Sequence, residues 1–228
     1  MSLKFLDAGE SCLVVELGDR IDIALNLKVR ALCLAVERAA IAGIQEAVPT
    51  YRSLAIYYDS LTIDRESLED QIQALQSSAG SEEGHRPQVV EIPTVYGGEY
   101  GPDLDFVASY ASLSHGEVIR LHTEPLYHVF MLGFTPGFAY LGGLPDRLSV
   151  PRLATPRLKV PAGSVGVAGK QTGVYAIDSP GGWRIIGRTH LRLFDASRQV
   201  PTSILPGHKV RFVRIEEHEY REGASEGP

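Results

Sequence analysis

The sequence predicts an α+β protein in two parts: a small α/β domain over residues 1–84 and a β-barrel domain over 85–216, then an acidic tail over 217–228 expected to be disordered. Three observations lead there. In the first third of the chain, strand-like apolar runs alternate with helically spaced ones. A small, polar stretch at 77–87, SSAGSEEGHRP, interrupts them and reads as a linker. Beyond it, Gly or Pro fills 17 of the 55 positions from 133 to 187, too dense for long helices and suited to short strands joined by tight turns.

The elements follow in order. Residues 11–17, centred on Val14 and Val15, read as a strand. Ile21, Leu25, Val29, Leu32 and Val36 then fall three or four apart, one face of an amphipathic helix, and Asp22 suits the positive end of its dipole. LAIYY at 54–58 is a short strand, and Leu68, Ile72 and Leu75 mark a second helix. After the linker come a strand at 89–95, a helix over 103–113 and an apolar strand at 126–132 carrying Tyr127 and His128. Strands at 184–186 and 210–215 close the pattern, with a Pro206-Gly207 turn before the last. Several short strands with turn punctuation make a small barrel or sandwich.

Composition narrows the function classes. A net charge of −6 argues against nucleic acid or an anionic membrane as partner, because phosphate binding needs clustered Lys and Arg. No apolar run approaches the roughly 20 residues that span a bilayer, and the N-terminus lacks the apolar core of a signal peptide. Cys33 lies within the first helical pattern, so a free buried thiol is expected rather than a disulfide with Cys12. Together these point to the cytoplasm.

Two sharp motifs fail on context. Ala162-Gly163-Ser164-Val165-Gly166 resembles a nucleophile elbow, but that turn needs a helix after it, and Gly166, Gly169 and Gly173 oppose one. SVGVAGKQ at 164–171 is a near-miss of a phosphate loop, with Ser164 where Gly is required and Gln171 where Ser or Thr is required. The histidines at 85, 115, 122, 128, 190, 208 and 218 have no metal spacing. His122, beside Glu124, is the better candidate for a general base, against the competing reading of a structural histidine.

Softer features cluster between 133 and 187. Arg152 and Arg157 each follow a proline; their forks suit carboxylate or phosphate, or they are solvated surface arginines. Phe134, Phe138 and Tyr140 surround a Pro136-Gly137 turn, and Trp183, the only Trp, follows Gly181-Gly182. Arg188 and Thr189 end that strand. Aromatic walls with a few polar groups describe a small-molecule pocket, and equally a protein interface.

The blocks GFTPGFAYLGGLP (133–145), PRLATPRLKVPAGSVGVAGKQTGVY (151–175) and SPGGWRIIGRT (179–189) resemble signatures of the KipI / allophanate hydrolase subunit 1 family, over essentially the whole chain to about residue 215. The resemblance implies a cyclophilin-like β-barrel for the second domain. It implies work within a complex that opens the lactam of 5-oxo-L-proline to L-glutamate with ATP hydrolysis, ATP being used by the complex. The implied partners are an allophanate hydrolase subunit 2 or KipA-like subunit and a lamB/YcsF-like subunit, and the isolated chain is expected to be nearly inactive. A lactam is a poor electrophile, and phosphorylating its carbonyl oxygen would supply a good leaving group, charge that arginines and backbone N–H groups stabilise. Carried over residue by residue, the resemblance points to His122 and Arg188 as catalytic groups. For substrate binding it points to Phe134, Pro136, Gly137, Phe138, Tyr140, Arg152, Arg157, Gly163, Ser164, Gln171, Thr172, Tyr175, Gly181, Gly182 and Trp183. Leu158 and His190 depart from the family pattern, which has a polar Thr and a Pro there.

Two other functions share the fold: an inhibitor of a sensor histidine kinase, docking a protein on the aromatic surface, and the carboxyltransferase half of a biotin-dependent urea carboxylase or allophanate system. The chain has no biotin-attachment AMKM motif and its methionines are Met1 and Met131, so biotin would sit on a partner.

Overall fold

The computed structural model describes residues 3–78 and 87–226. The chain divides into two compact units, Met1–Arg86 and Pro87–Pro228. Most of the predicted linker, from 79 to 86, lies outside the described residues; its first two residues close a helix.

The first unit runs β1 (Lys4–Asp7), β2 (Cys12–Glu16), α1 (Ile23–Ala39), β3 (Ile44–Pro49), β4 (Ser53–Tyr58) and α2 (Arg65–Ser78). The strands form an antiparallel sheet in the order β1-β2-β4-β3. Its core joins Leu13, Val15, Leu54 and Ile56 of the sheet to Val29, Leu32, Leu68 and Ile72 of the helices. The predicted face of α1 is buried at Leu25, Val29, Leu32 and Val36. Ile21 is not part of it: it precedes the N-cap and is 60% exposed. Asp22 caps the helix, accepting from the Leu25 N–H at 3.0 Å. Cys12 and Cys33 are free and buried.

The second unit opens with β5 (Val89–Tyr96), α3 (Leu104–Ala111), α4 (His115–Thr123), β6 (Tyr127–Leu132) and β7 (Ala139–Gly142). There follow β8 (Arg157–Val160), β9 (Ser164–Ala168), β10 (Gln171–Val174), β11 (Ser179–Gly181), β12 (Arg184–Arg188), β13 (Lys209–Arg214) and α5 (Glu217–Glu226). Seven strands close a barrel in the order β10-β7-β6-β13-β5-β12-β9, while β8 and β11 pair as a separate ribbon. All barrel pairs are antiparallel except β13 with β5. Ile92, Tyr127, Val129, Leu141, Val165, Val167, Val174, Ile186 and Phe212 fill the core. This is the α+β, barrel-bearing architecture that the turn density predicts.

Two local expectations need correction. The helix expected over 103–113 stops at Ala111, where Ser112 takes a left-handed φ of 53°. A second helix, α4, follows on a capping box in which Ser114 and Glu117 satisfy each other's backbone N–H groups. The tail expected to be disordered over 217–228 is helical to Glu226: Glu219 accepts from the Glu216 N–H at 2.7 Å, Arg221 pairs with Glu217, and Tyr220 packs on Tyr100 with ring centroids 4.7 Å apart. Residues 227 and 228 lie outside the described residues.

Candidate functional site

Strand alternation sorts the predicted residues between the inside and the outside of the barrel. On β9, β10 and β12, Val165, Val167, Val174 and Ile186 point inward to the main core. Ala168, Tyr175, Trp183 and Ile185 point outward and build a second, smaller core with Phe138 of the loop before β7 and Val160 of the ribbon. Tyr140 packs on its edge.

The outer wall is aromatic because glycines on the same face leave room for rings. A Cβ at Gly173 would lie 3.1 Å from the Phe138 ring and 3.2 Å from Trp183; one at Gly166 would lie 3.1 Å from the Trp183 Cβ. In the space so left, Phe138 meets Tyr140, Tyr175 and Trp183 edge-on at centroid distances of 5.0, 5.1 and 5.4 Å. Tyr140 lies 6.1 Å from Trp183. Phe134 extends the wall outward, 5.6 Å from Phe138 and 60% exposed. It is held in a left-handed φ of 67°, and the next left-handed turn residue is Gly137 at 75°. Pro136 is exposed at the tip of this turn.

Arginines border the wall unequally. Arg152 places its guanidinium carbon 6.0 Å from the Trp183 ring centroid, and among the described residues no carboxylate lies within ion-pair distance of it. Arg157 donates to the Asp103 carboxylate at 2.9 Å. Asp103, a residue the sequence marks only as a helix start, is buried; its other oxygen accepts from the Ile185 N–H at 2.7 Å, and Arg184 lies 3.7 Å from it. Burial raises the pKa values of both the Tyr140 and Tyr175 hydroxyls, and the positive charge of Arg152 works against that shift on each.

The remaining candidates divide as follows. Gly181 is required by Tyr175: a Cβ there would lie 2.3 Å from the phenolic oxygen. A Cβ at Gly182 would lie 3.6 Å from Pro156, an ordinary contact, and Gln171 starts β10 opposite Gly142 and Ala168. Gly163 has φ 80°, and a Cβ there would lie 2.2 Å from the Thr189 carbonyl oxygen, so its role is the tight approach of two backbones. Ser164 is buried within β9 and its hydroxyl, like that of buried Ser179, has no hydrogen-bond partner among the described residues. It is not the exposed serine of a nucleophile elbow. Residues 164–171 form the β9–β10 hairpin, without the helix that a phosphate loop needs.

The two candidate catalytic groups are not on the wall. His122 is fully buried in the barrel interior, Nδ1 2.8 Å from the Tyr96 hydroxyl and Nε2 2.9 Å from the Thr172 hydroxyl. Thr172 donates to the Gly166 carbonyl at 3.0 Å, so it accepts from His122 Nε2–H, and Tyr96 donates to Nδ1. Both His122 and Thr172 thus belong to a satisfied interior network, and burial pushes the His122 pKa down to about 3. Arg188 is half-buried at the far end of β12, five residues or roughly 16 Å of strand from Trp183. Its guanidinium lies 5.7 Å from the Tyr100 ring. A cleft of about 480 Å³ bordered by Tyr96, Gly97, Tyr100, Ile119, Arg214 and Glu216 opens elsewhere on the barrel, and none of the sequence-predicted site residues lines it. Among the described residues no group of His, Cys, Asp or Glu could hold a metal, and no helix is long and apolar enough to cross a membrane.

Fold and site together define a barrel protein with an arginine-bordered aromatic cluster on the outer side of its strands, in which Phe138, Tyr175 and Trp183 are buried, Tyr140 is half-buried and Phe134 is exposed. The chain belongs to the family described as carboxyltransferase domain, subdomain C and D, whose model matches residues 3–204. It is 40% identical over 222 residues to a 5-oxoprolinase subunit from Bacillus subtilis (strain 168), the component designated B, covering 93% of this chain and 92% of that protein. To the like-named 5-oxoprolinase component from Escherichia coli O157:H7 it is 43% identical over 210 residues, covering 90% and 93%. The crystal structure of the protein TTHA0988 matches with a TM-score of 0.80 at 38% identity, over 90% of this chain; this chain spans 39% of that longer protein.

Proposed function

We propose that this chain is a subunit of an ATP-dependent 5-oxoprolinase complex, in the cytoplasm, and that its outer barrel wall binds 5-oxo-L-proline. The observation that carries the reading is the edge of this cluster: exposed Phe134 and half-buried Tyr140 over a buried base of Phe138, Tyr175 and Trp183, beside Arg152, a cation with no carboxylate partner among the described residues. A small planar lactam bearing one carboxylate has that chemistry. Identity of 40% and 43% to two proteins named as 5-oxoprolinase subunits, over nine-tenths or more of each chain, supports it.

The complex hydrolyses ATP and includes partner subunits of the allophanate hydrolase subunit 2 or KipA-like type and the lamB/YcsF-like type; residues 164–171 of this chain form a strand hairpin, not a Walker-type phosphate loop followed by a helix. The chain's own part is to hold and orient the lactam. The test is reconstitution. The three subunits together are expected to release glutamate only when both ATP and 5-oxoproline are present, and omission of this chain is expected to abolish it. A folded three-subunit mixture that makes no glutamate overturns the reading.

A further inference from the structure

We infer that Arg152 is the residue that takes the substrate's carboxylate, and that Arg157, its twin in sequence, does not. This rests on the outer wall being the 5-oxoproline site.

The two arginines are indistinguishable by their neighbours in the chain, each following a proline. Their surroundings separate them. Arg157 is charge-matched: its Nη2 is 2.9 Å from Asp103, whose side chain is only 8% exposed, and its Nη1 reaches the Trp183 carbonyl at 3.5 Å. Arg184, the third arginine of this region, is also committed. Its guanidinium lies 3.5 Å from the Phe106 ring centroid, Nε donates to the Pro151 carbonyl at 3.4 Å, and Asp103 is 3.7 Å away. One buried carboxylate therefore holds two arginines, and drawing either towards a ligand would break a buried pair.

Arg152 carries none of these ties. It is exposed, meets no carboxylate among the described residues, and lies beside Trp183. Its charge reaches the hydroxyls of both Tyr140 and Tyr175. A carboxylate that meets its fork neutralises a cation that has no carboxylate partner among the described residues and gains two parallel N–H bonds. The flat ring attached to that carboxylate then lies against Tyr140, the half-buried ring of the cluster that feels the Arg152 charge, with Phe138, Tyr175 and Trp183 buried beneath it. The ligand class is a small cyclic acid, and the carboxylate is the part read by Arg152.

The test uses the assembled complex and the matched compound 2-pyrrolidinone, which has the lactam ring without the carboxylate. Arg152→Ala is expected to raise KM for 5-oxoproline by about tenfold or more while kcat changes by less than about threefold, the loss of one charge-assisted contact. Inhibition by 2-pyrrolidinone is expected to stay as in the unaltered complex, and Arg152→Lys to recover part of the lost affinity. An unchanged KM in Arg152→Ala, with a raised KM in Trp183→Phe or Tyr140→Phe, overturns the assignment of Arg152 and leaves the wall as the site. An unchanged KM in all three variants overturns the wall reading, and this inference with it.

Discussion

His122 Nε2 lies 2.9 Å from the Thr172 hydroxyl, two candidate site residues bonded to each other in the interior of the barrel. Tyr96, His122, Thr172 and the Gly166 carbonyl form one chain of donors and acceptors, complete when the imidazole is neutral. A proton added to Nδ1 would put a charge in a dry core, and that loss of hydration holds the pKa near 3. The consequence is a stability effect. Unfolded histidine binds a proton near pH 6.5, so between 6.5 and about 3 the unfolded state binds more protons than the folded one, and stability falls as pH falls. Through this group alone the protein is expected to lose about 2 kcal/mol between pH 7 and pH 5, at about 1.4 kcal/mol per unit below 6.5. Urea unfolding at both pH values checks it: His122→Gln should lose less stability over that interval than the unaltered chain, and an equal loss contradicts it.

Asp103 ties the ribbon strand β8 to barrel strand β12 through Arg157 and the Ile185 N–H. Asp103→Ala removes both acceptors and leaves a half-buried guanidinium without its counter-charge. Because Arg157 is about a third exposed, the full cost of breaking a buried pair is discounted, and about 2–3 kcal/mol of destabilisation is expected in denaturant unfolding. Asp103→Asn, which keeps an acceptor for Ile185, should cost less. A loss under about 0.5 kcal/mol in the alanine variant would mean the network is ornamental.

Gly181 and Gly163 should respond differently to the same substitution. Gly181→Ala drives a methyl into the Tyr175 hydroxyl, and Tyr175 is too buried to swing aside, so the wall itself must shift. About 1–3 kcal/mol of destabilisation and a raised KM for 5-oxoproline are expected together. Gly163→Ala meets the Thr189 carbonyl at a positive φ, and the nearest atoms to the new methyl belong to Thr189 and Arg188 rather than to a ring. It should cost at least about 1–2 kcal/mol in stability and leave the KM of the surviving folded complex near its normal value. Thermal unfolding and steady-state kinetics on the two variants separate the cases.

How much of the fold is legible in the sequence follows from how local each signal is. The face of α1 is legible because Leu25, Val29, Leu32 and Val36 repeat without interruption. Strands β1 and β3 are not, since KFLD is four residues long and IQEAVP breaks its alternation with Gln45 and Glu46. Helix α4 carries a readable start at Ser114 and Glu117, obscured by Gly116 in its first turn. The aromatic cluster is partly legible because its rings stand in short stretches such as 133–140 and 181–183, while the glycines that make room for Phe138 and Trp183, Gly166 and Gly173, lie elsewhere in the chain. The inequality of Arg152 and Arg157 is not, because it depends on an aspartate 54 positions upstream of Arg157. The fate of His122 likewise depends on Tyr96, 26 positions before it, and Thr172, 50 after it.

The C-terminal helix offers the remaining test, of whether a segment that docks near Arg188 acts in the site or only covers the barrel. Tyr220 packs on Tyr100 at 4.7 Å and faces His190 at 6.0 Å, while a Cβ at Gly223 would lie 2.5 Å from the His190 ring. His190, one of the two departures from the family pattern, is thus a seat for α5; the other, Leu158, is 94% exposed on β8 and meets no such partner. Deleting 217–228 exposes the faces of Tyr100 and His190 that Tyr220 meets, removing an aromatic pair and its buried area, about 1–2 kcal/mol. Since these contacts lie at the opposite end of β12 from Trp183, the truncated chain is expected to unfold at a lower temperature and yet assemble with an unchanged KM for 5-oxoproline. A raised KM at full folding would instead assign α5 and Arg188 to the substrate site, and would require the ligand to reach along the whole length of β12.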